Sequence, residues 1–268
     1  MACMLPEQAG YAQVGQSIPT ATYFNSFPLL YAGEYRDALK SFSNERGIRA
    51  GQSRWIDSIC YQTMIGECYY KLGQYNDALA SYTAALNLYV VYADWMTRLG
   101  SPPTLGVVAN RAGVPWGRST RNAKIGRFER LTITQGQPIT EAAIARGGPI
   151  QAPVAVGINA GEIVRCTCLA MMRRAELLGP LAKHDPLAAK VEAAAARRQG
   201  LPNHWSRAWL DAQLGFAYAA AGNPGQAAGH LQQSLMIAGE MDHPVTGLAL
   251  LQLGKLSLDA GRLDEAAR

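Results

Sequence analysis

Apolar residues recur at a helical period along two stretches of the chain and lose that rhythm between them. The pattern predicts helices near residues 20–43, 56–97, 161–182, 186–199, 204–221, 224–239 and 244–260. From 99 to 160 it is broken by Gly100, Pro102, Pro103, Pro115, Gly136, Pro138, Gly147, Gly148, Pro149, Pro153 and Gly157. An irregular connection of that length is uncommon inside a compact domain. Within it Phe128 to Thr134 alternates well enough for one short strand, and Thr140 is placed to cap a short helix over 141–146. Asp185-Pro186 reads as a helix cap followed by proline at the first helical position, and Asp242-His243-Pro244 as the same device.

Superimposed on this rhythm is a longer one. Gly33-Glu34-Tyr35-Arg36-Asp37-Ala38-Leu39 returns as Gly73-Gln74-Tyr75-Asn76-Asp77-Ala78-Leu79, 40 residues later. Looser copies begin at Gly222 and Gly261, which are 39 residues apart, each after an apolar helical run. Self-similarity at such a period marks a solenoid of helix pairs, in which no pair buries its apolar face without a neighbour.

The strongest copy carries Ile65-Gly66 and Tyr69 on a first helix, Gly73 and Tyr75 at the turn, then Ala78, Tyr82 and Ala85 on a second helix. Gly66 and Ala78 are small where two helices must approach closely, and the tyrosines fill the space between helices at the 3.6-residue period. Leu214-Gly215, Tyr218, Gly222, Ala227, Leu231 and Ser234 repeat the pattern, and Leu253-Gly254, Gly261, Leu263 and Ala266 begin it again. The first copy keeps Gly33, Tyr35, Ala38 and Phe42 but has Ser26 at the helix-contact position and Pro28 inside its first helix. On these residues the chain resembles the tetratricopeptide repeat (TPR) family, a helix-turn-helix unit of about 34 residues. The resemblance implies an all-α superhelix, with the irregular stretch as an insertion holding at most a short strand. It divides the chain into an N-terminal extension at 1–19, helix pairs at 20–98, a basic insertion at 99–160 and helix pairs at 161–268. Because the last copy stops at Arg268, a few residues into its second helix, the chain reads as a fragment of a longer repeat protein.

The resemblance also implies a function, a non-catalytic protein-interaction scaffold that takes a partner segment in its concave groove. The family's groove positions fall here on Cys60, Thr63, Glu67, Tyr70 and Lys71, on Trp209, Ala212, Phe216, Ala219 and Ala220, and on Leu248, Leu251, Lys255, Leu258 and Asp259. Thr63, Glu67, Tyr70, Lys71, Trp209, Phe216 and Lys255 are the groove-binding candidates. The family's clamp for a C-terminal carboxylate needs lysine and asparagine where Tyr23 and Phe27 stand, so a chaperone-tail ligand is not supported. The groove is apolar to mixed, suited to a helix or extended segment with aromatic anchors.

Charge adds one alternative. The chain of 268 residues has a formal net charge of +5, and between 99 and 160 Arg111, Arg118, Arg121, Lys124, Arg127, Arg130 and Arg146 face only Glu129 and Glu141. Trp116 and Phe128 interleave with them, as a surface for single-stranded nucleic acid requires, so nucleic-acid association through 108–130 is the alternative function. A solvated loop docking on Asp57 and Glu67 explains the same charges. A regulatory arm of a larger enzyme is a third possibility. No Walker loop, H-E-x-x-H, G-x-S-x-G or calcium loop occurs, so no enzyme activity, cofactor or metal is expected. The four histidines occur singly, and helix capping explains them better than catalysis. The five cysteines lack metal spacing and read as small buried residues of a reducing compartment. With no apolar run long enough to cross a bilayer and no secretory leader, a cytoplasmic location is the default.

Overall fold

A computed structural model describes residues 17–45, 55–100, 104, 106–107, 124–127, 131–135, 154–196, 204–236 and 241–267. These described residues form five consecutive helix pairs and two small sheets. The first pair is α1 (Ala21–Asn25) with α2 (Phe27–Tyr31), against α3 (Tyr35–Glu45). Then come α4 (Ser58–Lys71) with α5 (Tyr75–Val91), and α6 (Ala160–Leu178) with α7 (Pro186–Ala196). The last pairs are α8 (Arg207–Ala220) with α9 (Pro224–Ser234), and α10 (Thr246–Asp259) with α11 (Leu263–Ala266). This is an all-α, TPR-like helical repeat.

Four of the pairs turn in the same way, which is the structural content of the sequence repeat. Gly33, Gly73, Gly222 and Gly261 stand at φ of 84°, 75°, 79° and 73°, a left-handed conformation that costs a side chain but not glycine. The amide after each glycine reaches back to a carbonyl in the last turn and a half of the preceding helix and closes it. Glu34 N bonds Leu29 O, Gln74 N bonds Tyr69 O and Asn223 N bonds Tyr218 O, each at 2.9 Å, and Arg262 N bonds Ser257 O at 2.8 Å. The same residue then opens the next helix through its own carbonyl, to Ala38, Ala78, Ala227 and Ala266. The α6–α7 pair departs from this. Gly179 has φ 55°, and a 3-10 helix over Gly179–His184 fills the turn.

The small residues between helices are required by contact. A Cβ on Gly66 would lie 2.6 Å from the Tyr82 ring, and one on Gly215 would lie 2.6 Å from Leu231 Cγ. At Gly254 the nearest atom is 3.6 Å away, an ordinary contact. In the first pair Ser26 replaces this glycine and its hydroxyl lies 2.7 Å from that of Ser41. The predicted helix over 20–43 is broken there, α1 ending before Ser26 and α2 beginning just ahead of Pro28.

The helices form one continuous core whose largest fully buried side chains include Tyr23, Phe42, Tyr61, Tyr82, Tyr89, Trp209 and Phe216. α6 lies at its centre, packed against α4, α5 and α8, while α7 packs against α5 and α8. Some contacts skip a pair. α10 reaches α6, and Tyr23 on α1 donates a hydrogen bond to Glu162 on α6.

The irregular stretch supplies more strand than its alternation predicts. β2 (Leu99–Gly100), β5 (Thr132–Gln135) and β6 (Val154–Ile158) join β1 (Ser17–Ile18) in a sheet of order β1-β6-β5-β2. β1 runs parallel to β6, and the other two pairings are antiparallel. A second sheet has the order β3 (Gly106–Val107), β4 (Lys124–Arg127), β7 (Met241–Asp242). The expected strand over 128–134 is thus shifted to 132–135, with Leu131, Ile133 and Ile158 buried on the helical core. The expected helix at 141–146 lies outside the described residues. Asn159 follows β6 directly, and its side chain accepts from Glu162 N at 3.1 Å and caps α6.

Candidate functional site

The predicted groove residues lie on the first helices of the pairs, and α6 runs across them. Thr63 is fully buried and donates to the Cys166 carbonyl at 3.2 Å. Glu67 is buried beneath α6, accepting from Tyr82 at 2.5 Å and from Arg173 Nε at 2.9 Å. Trp209 is fully buried, edge-on to Trp205 with ring centroids 5.0 Å apart, and Phe216 is buried beside the core. These four side chains are core and contact residues rather than open binding surface. The cause is close packing of α6 on α4 and α8.

Tyr70, Lys71 and Lys255 remain at the surface. The Arg173 guanidinium stacks 4.5 Å above the Tyr70 ring centroid, a cation–π contact, and Tyr75 meets the same ring edge-on at 5.7 Å. Lys71 is exposed at the last turn of α4. Lys255 on α10 pairs with Glu176, which also accepts from Arg173 Nη1 at 2.8 Å. The structure therefore joins the candidates from the second and fifth pairs into one chain of charge, Glu67–Arg173–Glu176–Lys255. Burial and the neighbouring Arg173 cation hold the Lys255 ammonium below its ordinary range. The arginine and carboxylate of α6 that complete the chain are not groove positions in the sequence pattern. Their signal is the helical spacing of Arg173 and Glu176, three residues apart on one face.

On either side of Lys255, one turn away in each direction, are Leu251 and Leu258, 50% and 56% exposed. Residues at this spacing share a helix face, so α10 presents an apolar stripe split by one cation.

Of the alternative basic patch, Arg118 and Arg121 lie outside the described residues, while Lys124 and Arg127 begin and end β4. Glu67, offered above as a docking point for that patch, is engaged by Arg173 instead. His204 accepts from Ser206 N at 3.2 Å and His243 from Val245 N at 3.3 Å, both just before a helix. α10 opens at Thr246 with Val245 as its N-cap residue, so Asp242-His243-Pro244 lies ahead of the helix instead of capping and opening it as the sequence predicts. His230 lies within α9 and meets the buried Asp211 at 3.0 Å. Asp185 caps α7 as its sequence predicts, accepting from Leu187 N at 3.3 Å and Ala188 N at 3.0 Å while pairing with Arg174. Among the described residues, no group of three or more His, Cys, Asp or Glu side chains is placed to hold a metal ion. No helix among them is long and apolar enough to cross a membrane.

No family model matches the chain. No curated protein matches it either. Among solved structures, the crystal structure of a thermophilic TPR protein of Thermus thermophilus is similar over 91% of this chain and 84% of that one, at 15% identity and a TM-score of 0.40. So loose an overlap adds no weight, and the repeat is read from the four equivalent turns and the close contacts at Gly66 and Gly215.

Proposed function

We propose that this protein is a non-catalytic interaction scaffold that takes a segment of a partner protein along the inner face of α10 and the adjoining end of α6. The observation that carries this reading is the half-exposed pair Leu251 and Leu258 flanking Lys255 on that face. Covering the exposed part of each leucine would contribute about 1 kcal/mol. Tyr70, with Arg173 on its ring, and the exposed Lys71 extend the surface toward α4. Thr63, Glu67, Trp209 and Phe216 support the surface from below and do not touch the partner. In this reading residues 20–98 and 161–268 form the scaffold, and the strands of 99–160 brace it.

Selection of binders from a displayed peptide library, followed by titration of the enriched peptides, tests the proposal. Leu251→Glu with Leu258→Glu should weaken binding by about tenfold or more while leaving the helical circular-dichroism signal unchanged. Charge reversal at Arg118, Arg121 and Lys124 should leave binding intact. The opposite pattern, with affinity that collapses as salt rises, would transfer function to the basic segment and nucleic acid.

A further inference from the structure

α10 is held differently at its two ends. At its start His243 Nε2 bonds the Ser234 carbonyl, the Thr246 hydroxyl donates to the Leu235 carbonyl at 3.2 Å, and β7, just ahead of the helix, pairs with β4. Val245, Thr246 and Ala249 are buried there. Beyond Ala249 the buried residue is Ser257, while Leu253 and Leu256 are partly buried against the core and Leu251, Leu258 and Asp259 are exposed. Gly254 stands inside this outer half, and glycine weakens a helix interior relative to alanine. Among the described residues, the ion pair that ties the outer half to α6 is Lys255 with Glu176.

That pair is the last link of the chain that begins at Glu67. Side-chain exposure rises along it, from 10% at Glu67 through 19% at Arg173 and 27% at Glu176 to 36% at Lys255. Solvent ions screen an exposed pair far more than a buried one, so rising salt weakens the Lys255–Glu176 link first and the Glu67–Arg173 link last. Closing the outer link has a cost, because burial and the Arg173 cation both oppose the Lys255 ammonium. Opening it leaves Asp259, four residues on along the same helix, as an alternative partner for Lys255.

We propose that Lys255 and Glu176 form a salt-sensitive latch, closed on α6 at low ionic strength, whose opening frees the outer half of α10 while its first turn stays anchored. The two states are close in free energy, since Lys255 exchanges Glu176 for Asp259. In the open state Leu253 and Leu256 turn from the core to solvent beside Leu251 and Leu258, so the apolar face of the helix widens. The latch works in the free protein, with no partner bound, and stands or falls apart from the function proposed above.

The test is hydrogen–deuterium exchange of the free protein, resolved finely enough to separate the two halves of α10. Lys255→Met keeps the aliphatic stem and removes the charge. It should speed exchange over 253–259 by about two- to fivefold, the worth of an ion pair of this exposure, and leave 246–250 as in the wild type. Glu176→Gln should do the same, and the double variant should add nothing to either. Raising sodium chloride from about 0.1 M to about 1 M shortens the screening length from about 10 Å to about 3 Å. This should bring the wild type to the K255M rates and leave K255M where it is. Unchanged exchange in both single variants would overturn the proposal. So would additive effects in the double variant, faster exchange spread evenly over the whole of α10, or an equal response of wild type and K255M to salt.

Discussion

At the scale of single residues the repeat rests on where a Cβ is tolerated. Gly66→Ala places a methyl 2.6 Å from a Tyr82 ring that is fully buried and held to Glu67, so the ring cannot yield freely. Overpacking of this kind should cost about 1–3 kcal/mol, and Gly215→Ala should cost a similar amount against Leu231. Gly254→Ala meets nothing closer than 3.6 Å and should be neutral or stabilise by up to about 1 kcal/mol, because alanine favours the helix interior. Urea midpoints of the three variants check the order, and equal losses at all three would refute the packing described. Glu162 gives a pH signature. Burial alone would raise its carboxyl, but the charge and hydrogen bonds of Arg165, with bonds from Tyr23 and Cys166, bring it below the ordinary glutamate range. A depressed carboxyl contributes stability that is complete above its unfolded pKa and is lost as pH falls toward the folded one. The acid limb of the stability profile, followed by denaturation at successive pH values, should therefore be steeper in the wild type than in Glu162→Gln.

At the scale of elements, Asp185 serves α7 twice, as the acceptor for its first amides and as the partner of Arg174 on α6. Asp185→Asn keeps an acceptor and loses the charge, whereas Asp185→Ala loses both. The alanine variant should be less stable than the asparagine variant by about 1 kcal/mol, read from thermal or urea unfolding. Equal stabilities would mean that the cap contributes nothing. This cap was legible because Asp-Pro before an apolar run is a local signal, as are the turn glycines 33, 73, 222 and 261. The two sheets were legible only in part. β1, β2, β3 and β7 are two residues each, too short to show alternation, and they exist because long-range pairing completes their backbone hydrogen bonds. Asn159 as the cap of α6 follows from the same limit, since its helix is entered from β6 rather than from a turn motif.

At the scale of the whole molecule, the family pattern predicts a set of groove side chains but not which of them the packing of the helices covers. Thr63, Glu67, Trp209 and Phe216 were expected in an open groove and are covered because α6 packs across α4 and α8. Contacts between pairs that are not neighbours, Tyr23 with Glu162 and Lys255 with Glu176, depart from the nearest-neighbour rule of open solenoids. Unfolding in urea should accordingly be one transition, with far-UV circular dichroism and fluorescence from the buried Trp55, Trp95, Trp205 and Trp209 superimposing. Separate midpoints would mean that the pairs melt independently. The interaction surface proposed above is the face of Leu251, Lys255 and Leu258. Hydrogen–deuterium exchange with and without a saturating selected peptide tests it most directly. Binding in the groove predicts new protection concentrated in 246–259 and 170–178, with residues 108–130 unchanged; protection confined to 108–130, with α10 exchanging as before, would contradict it.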